Sequence, residues 1–163
     1  MKTILRKMLL DFSQYIPGRI SSKIYSKYIG HSEFEIRRNV YFDSINKCEI
    51  GKGVFINHGC KFYAGYSEND DKMIFLGENV WIGMNTMFIC ASHKLGNSKQ
   101  RAGEIIHKSI KVADGCWIGG VIILPGVTIE RGCIIGAGSV VTKNCEANGV
   151  YVGNPAKRVK NLQ

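Results

Sequence analysis

VADGCWIGGVIILPGVTIERGCIIGAGSVVTKN, residues 112–144, carries an apolar residue that returns at a nearly fixed interval. Val112, Ile118, Ile123, Ile129, Ile135 and Val141 are six apart, except for one step of five between Ile118 and Ile123. Three positions after these residues stand Gly115, Gly126, Gly132, Gly138 and Asn144, and only Ile118 is followed by Val121 instead. Working back along the chain, the same pattern appears twice more. Ile50, Ile56 and Phe62 are followed by Gly53, Gly59 and Gly65; Leu76, Ile82 and Phe88 by Asn79, Asn85 and Ala91.

Gly and Asn are the residues that most readily hold φ above zero. One at every sixth position predicts a sharp corner every six residues, with a short strand between corners. Three strands to a turn make a triangular coil, and about five coils stacked at ~4.8 Å give a prism roughly 24 Å tall. The recurring apolar residue points into it. A β-sandwich would instead alternate with period two and turn every ~8–12 residues. Cys60, Cys116, Cys133 and Cys145 each follow a corner by one residue, a place for a small stacked side chain. With Cys48 and Cys90 they show no CxxC spacing and no paired histidines, so no metal site is expected and the thiols read as buried in a reducing compartment.

The 163 residues allow one domain with one core. No apolar run reaches the ~20 residues of a membrane span. The start, MKTILRKMLLDFSQYIPGR, lacks the long apolar core and cleavage site of a signal peptide, which points to the cytoplasm. The net charge of +9 is concentrated at the ends: residues 1–40 hold eight Lys/Arg against three acids, and residues 141–163 four against one. No recognition helix or aromatic platform accompanies the charge, so no nucleic-acid partner is expected. A phosphate-bearing small ligand near the C-terminus and a lipid surface near the N-terminus fit better. Residues 1–40 have mixed apolar and basic residues at loosely helical spacing. They form either a cap on the first coil or a segment lying on a membrane, peripheral at its inner face. The coil proper is expected over 41–148, with 149–163 as an extension in which AKRVKNLQ reads as a short helix.

The segment VADGCWIGGVIILPGVTIERGCIIGAGSVVTKN, with GNPAKRV after it, resembles the hexapeptide-repeat acyltransferases, closest to their galactoside, maltose and polysaccharide O-acetyltransferase branch. The likeness runs from about residue 50 to 162 and is most specific over 110–160. It implies an all-β solenoid, a left-handed parallel β-helix; the handedness comes from the family and not from the spacing. It also implies transfer of an acetyl group from acetyl-CoA directly to a hydroxyl of a sugar, in polysaccharide biosynthesis, by a homotrimer with its sites between subunits. No metal is implied.

In that family a loop interrupts the repeat and a histidine at its start is the catalytic base. Here the repeat breaks at a loop over 94–109, and His93 stands at its root, 24 residues before Trp117. An imidazole titrating near neutrality suits removal of a hydroxyl proton, and Gly-rich corners supply backbone N–H donors to an oxyanion. The resemblance places Trp117, Gly119 and Gly120 beside the pantetheine and thioester, Ala137 beside the pantetheine arm, and Thr142, Lys143, Lys157 and Lys160 near the adenine and phosphates. Relatives often carry arginine at the last two positions, where lysine keeps charge but loses the bidentate fork; Arg158 would compensate. Asp71 matches a sugar-contacting aspartate and Glu104 an acidic position that orients the imidazole or binds the acceptor, while each also reads as an ordinary turn or loop carboxylate. His31, His58 and His107 read as structural. The asparagine that accompanies the aspartate in the galactoside enzymes is replaced by Gly65.

The five-residue step at 118–123 departs from the family beside the expected oxyanion donor. The corner is either tighter and still functional, or the site is impaired. Other readings stay open: a same-fold acetyltransferase for serine, an amino sugar or an antibiotic; a carbonic-anhydrase-type coil, which needs three metal-binding histidines; or a non-catalytic trimeric scaffold.

Overall fold

The computed structural model describes residues 12, 15, 16, 18–65 and 71–163. The remaining residues, which include 1–11, 13, 14 and 17 of the expected cap or membrane-facing segment, lie outside the description. Three parallel sheets form the faces of one prism. The first face stacks Phe34–Ile36, Val54–Ile56, Trp81–Ile82, Trp117–Ile118, Ile134–Ile135 and Gly149–Val152. The second stacks Tyr41–Phe42, Lys61–Tyr63, Met87–Ile89, Ile122–Ile123 and Val140–Val141, and the third Cys48–Ile50, Ile74–Leu76, Ile110–Val112 and Thr128–Ile129. A lone parallel bridge from Ile129 to Cys145 completes the fifth coil. Each coil visits the faces in that order, so the prism has three edges, which we name by the faces they join. The first strand pairs with Val54–Ile56, so the coil begins at Phe34 and not at residue 41.

All twelve recurring apolar residues are buried, none more than 3% exposed. On the second face the inward column is aromatic: Phe42 stacks on Phe62 at 4.5 Å and Phe62 on Phe88 at 4.7 Å. Nine of the ten predicted corner residues hold φ between 55° and 84°. Asn144 does not. Its Oδ1 accepts from the Thr128 N–H at 2.9 Å, and the left-handed residue of that coil is Asn148. The residue after the corner is buried and donates toward a neighbouring coil where it can. Cys60 Sγ reaches Gly83 O at 3.2 Å, Cys116 Sγ reaches Glu130 O at 3.2 Å, and Thr86 Oγ1 reaches Gly119 O at 2.7 Å. The cysteines therefore serve as small hydrogen-bonding wedges.

At the start of the coil, helix α1 (Gly18–Ile29) lies on the first strand and buries Ser21 and Tyr25. At the other end, the expected C-terminal helix is absent. Lys157–Asn161 is a strand, antiparallel to Gly149–Val152. An eight-residue helix is marginal in water, whereas a strand here satisfies the open edge of the first face. The turn between them contains a cis Asn154–Pro155 peptide. The segment expected as a loop over 94–109 is also ordered: Ala91–Leu95 and Ala102–His107 form an antiparallel hairpin that leaves the prism at the edge between faces 2 and 3. It begins three residues earlier than expected, so His93 sits within its outgoing strand.

Candidate active site

His93 pairs with Ile105 across the hairpin, and the register slips between Ala102 and Ile105. That bulge turns the Gly103 carbonyl onto the imidazole, 2.8 Å from Nδ1. A carbonyl can only accept, so Nδ1 carries the hydrogen. The lone pair of the neutral ring is then at Nε2, the nitrogen free to take a proton. The ring is exposed at the root of the arm. Gly103 was not singled out from the sequence, because a backbone carbonyl leaves no residue-type signal.

Glu104 lies next to that carbonyl, but its Oε2 is paired with Lys94 Nζ at 2.7 Å and both side chains are largely exposed. The orienting contact to His93 is thus Gly103 and not Glu104. Asp71 is exposed in the segment that joins faces 2 and 3 one coil below the hairpin. Just after face 2, the Asp43 carboxylate accepts the Ala64 and Gly65 N–H groups at 3.0 Å each. Sequence inspection gave Asp43 no role; its signal is visible only once coils are stacked.

The coenzyme candidates lie mainly along a different edge. Trp117 is 60% exposed on face 1, directly above Trp81 at 59%. Gly119, Gly120 and Ala137 form the edge between faces 1 and 2. The five-residue step is absorbed there: Ile122 still pairs with Met87 below and Val140 above. The tighter corner brings Gly120 against Met84, so that a Cβ on Gly120 would lie 2.6 Å from the Met84 carbonyl oxygen. Gly119 N–H donates to Ile135 O at 2.7 Å and Gly120 O accepts from Gly138 N–H at 2.8 Å. Among the described residues the Gly120 N–H has no backbone or side-chain acceptor, which leaves a donor at the corner.

Thr142 and Lys143 stand back on the edge between faces 2 and 3, one coil pair above His93, while Lys157, Arg158 and Lys160 lie on the last strand beside face 1. Arg158 is committed elsewhere. It pairs with Glu146 at 2.8 Å, donates to Ala147 O at 2.9 Å and covers the Tyr151 ring. It is a structural strut and does not stand in for the missing guanidinium forks. Lys143, Lys157 and Lys160 remain exposed.

Cys90, three residues from His93, is fully buried; burial pushes its thiol up to about 12, and Sγ faces Met73 O at 3.5 Å. It is no nucleophile. Among the described residues no three of His, Cys, Asp or Glu gather as a metal site, and no helix is long and apolar enough to cross a membrane.

Comparison with known proteins agrees with this geometry. Residues 109–143 match the family model of the bacterial transferase hexapeptide (six repeats). The chain is 32% identical to the galactoside O-acetyltransferase of Lactococcus lactis over 76% of this chain and 64% of the relative. It spans about three fifths of the curated relatives it matches. The maltose O-acetyltransferase of Clostridium difficile superposes with a TM-score of 0.82, at 30% identity, covering 98% of this chain and 85% of that one. A hexapeptide-repeat acetyltransferase of Vibrio cholerae, solved in complex with acetyl-CoA, gives 0.82 at 26% identity over 97% and 85%. A three-faced coil that keeps its register through a shortened corner, and these likenesses, place the chain in the hexapeptide-repeat transferase family, with its left-handed parallel β-helix.

Proposed function

We propose that the chain is an acetyl-CoA-dependent O-acetyltransferase that modifies a sugar hydroxyl, in the biosynthesis of a surface polysaccharide. The observation that carries this reading is the imidazole of His93, whose tautomer is set by the Gly103 carbonyl. Nε2 takes the acceptor hydroxyl proton as the oxygen attacks the thioester carbon. The Gly120 N–H offers a hydrogen bond to the oxyanion that forms. As the C–S bond breaks, the imidazolium returns its proton to the departing sulfur, and the histidine is neutral again. Trp117 flanks the corner at which the thioester is received, and Lys143, Lys157 and Lys160 meet the coenzyme's phosphates. Asp71 and Glu104 face the acceptor.

The placement of these groups supports a trimer. His93 and Asp71 belong to the edge between faces 2 and 3, Gly119 and Gly120 to that between faces 1 and 2. Flat faces and a threefold arrangement bring the first edge of one chain to the second edge of the next. Ile20 is exposed on α1 beside Lys23 and Lys27, which supports contact of the basic N-terminal segment with an anionic membrane at its cytoplasmic face.

The test is acetyl-CoA titration of the purified chain and of His93→Ala. Both are expected to bind with equal affinity, while transfer falls by a factor of about 10²–10⁴ in the variant, as general-base loss requires. Failure of both to bind at millimolar acetyl-CoA refutes the reading and favours a trimeric scaffold, which the tightened corner at Gly119–Val121 would then explain.

A further inference from the structure

The edge between faces 1 and 2 continues below the proposed thioester corner, and its lower end is cationic. Equivalent corner positions on successive coils are joined by backbone hydrogen bonds: Gly59 N–H to Arg38 O at 3.4 Å, Asn85 N–H to His58 O at 2.9 Å, and Gly138 N–H to Gly120 O at 2.8 Å. Arg38, His58, Met84 and Gly120 therefore succeed one another up a single edge. At its foot a depression of about 210 Å³ is lined by Tyr15, Gly18, Arg37, Arg38 and His58. Among the described residues no carboxylate lines it. The adjacent Glu35 is engaged by Arg37 at 3.0 Å, and the Arg37 guanidinium also lies 5.4 Å from the centre of the Phe55 ring. The side chains of Arg38 and His58 have no ion-pair or hydrogen-bond partner among the described residues, and both are exposed.

We propose that this depression binds the phosphate of a phosphorylated sugar acceptor, with Arg38 and His58 as its principal contacts. The inference rests on the O-acetyltransferase reading and names its substrate class. Two coil steps of ~4.8 Å separate the His58 corner from Gly120, roughly 10 Å, the span of a pyranose with an anomeric phosphate. A sugar whose phosphate sits at Arg38 and His58 thus reaches the donor corner with the hydroxyl on its far side. The lysines proposed for the coenzyme stand at the opposite end of the prism, above Gly120. The acceptor's anion site and the cations proposed for the coenzyme then lie at opposite ends of the prism, with the reacting corner at a height between them. A guanidinium, with an imidazole N–H beside it, recognises a phosphate by charge-assisted hydrogen bonds, which a neutral sugar cannot replace. A nucleotide diphosphate and a lipid diphosphate carrier both present this phosphate, and the chemistry at Arg38 is the same for both.

The test is calorimetric titration of the full chain with glucose, glucose 1-phosphate and pyrophosphate, repeated with the double variant Arg38→Ala, His58→Ala. Both positions are exposed corners, so the variant keeps its fold. Glucose 1-phosphate and pyrophosphate are expected to bind at least about tenfold tighter than glucose, and the double variant to lose that gain while its affinity for acetyl-CoA stays unchanged. UDP-glucose and a short polyprenyl-diphosphate glucose form a second arm, and whichever gains further affinity over glucose 1-phosphate identifies the source. Equal binding of glucose and its phosphate overturns the proposal, as does a phosphate preference that survives in the double variant. Arg38-dependent phosphate binding in a chain that does not bind acetyl-CoA would sink the transferase reading and leave the anion site standing. Acetyl transfer to free glycosides with the same kcat/KM as to phosphorylated ones does the reverse.

Discussion

Gly119→Ala and Gly115→Ala separate two reasons for a glycine in this repeat. Gly115 holds φ at 67°, and a Cβ there meets nothing within 4 Å. Alanine at that corner suffers only the left-handed backbone, about 1–2 kcal/mol. Gly119 has no left-handed backbone, but its Cβ would lie 2.7 Å from Ala137 N, 2.8 Å from Ile135 O and 2.9 Å from Ala137 Cα. Ordinary contact begins at 3.4 Å, so three backbone atoms of the next coil must retreat by roughly 0.5–0.7 Å. They are held by the 2.7 Å hydrogen bond from Gly119 N–H to Ile135 O. Overpacking costs about 1–3 kcal/mol, and backbone obstacles place this case near the top of that range. Loss of the glycine's freedom in the unfolded chain returns about 0.4–1 kcal/mol, leaving a net loss of ~2 kcal/mol. Urea unfolding followed by circular dichroism measures both. The functional consequence differs more than the stability. Gly119→Ala is expected to weaken acetyl-CoA binding by moving Ala137 and Gly120, whereas Gly115→Ala, on the edge between faces 3 and 1, leaves it unchanged. If Gly119→Ala lost less than about 0.5 kcal/mol and bound acetyl-CoA normally, the tight corner inferred here would be wrong.

Phe62 is fully buried between two rings at 4.5 and 4.7 Å, so Phe62→Ala is expected to cost ~3–5 kcal/mol in urea, and Phe62→Leu much less. Burial raises the thiols of Cys60 and Cys116 from 9.0 to about 11. The unfolded chain therefore loses these protons first, and the stability they contribute is full below pH 9 and declines as pH rises through 11. Tm should fall across that window, with a shallower slope in Cys60→Ala, and the folded thiols should resist alkylation at pH 8.

The period of six made the prism, its inward column and nine of its corners legible, because a left-handed corner restricts residue type. The same logic failed at Asn144, whose side chain is used as a hydrogen-bond acceptor, so that Asn148 turns the chain instead. Strand identity at the C-terminus was not legible. AKRVKNLQ has no strong preference of its own, and the unpaired edge of Gly149–Val152 decides its state. Within the site, His93 was marked by the break in the repeat, but its orientation depends on a carbonyl placed by a bulge. Arg158 was assigned to the coenzyme by position alone, and the nearby carboxylate of Glu146 takes it away. Charge in a sequence does not say which opposite charge the fold will bring within reach.

The division of the proposed site between two edges has a consequence that a single-chain site does not share. A chain with His93→Ala keeps its Gly119–Gly120 corner, and a chain with Gly119→Ala keeps its base. In the proposed trimer, each variant alone is expected to have little activity. Where a site takes its base from one chain and its corner from the next, mixed trimers regain intact sites. In a random equal mixture a given site draws a sound base with probability one half and a sound corner with probability one half, so about a quarter of the wild-type activity returns. The two variants are to be unfolded together in urea and refolded, with each also refolded alone. A tagged copy of one variant, recovered with the untagged other, verifies that the chains have mixed. Recovery near a quarter supports a shared site. Mixed trimers with no more activity than either parent would mean that base and corner act within one chain, and the assignment of His93 to a neighbour's Gly120 would have to be abandoned.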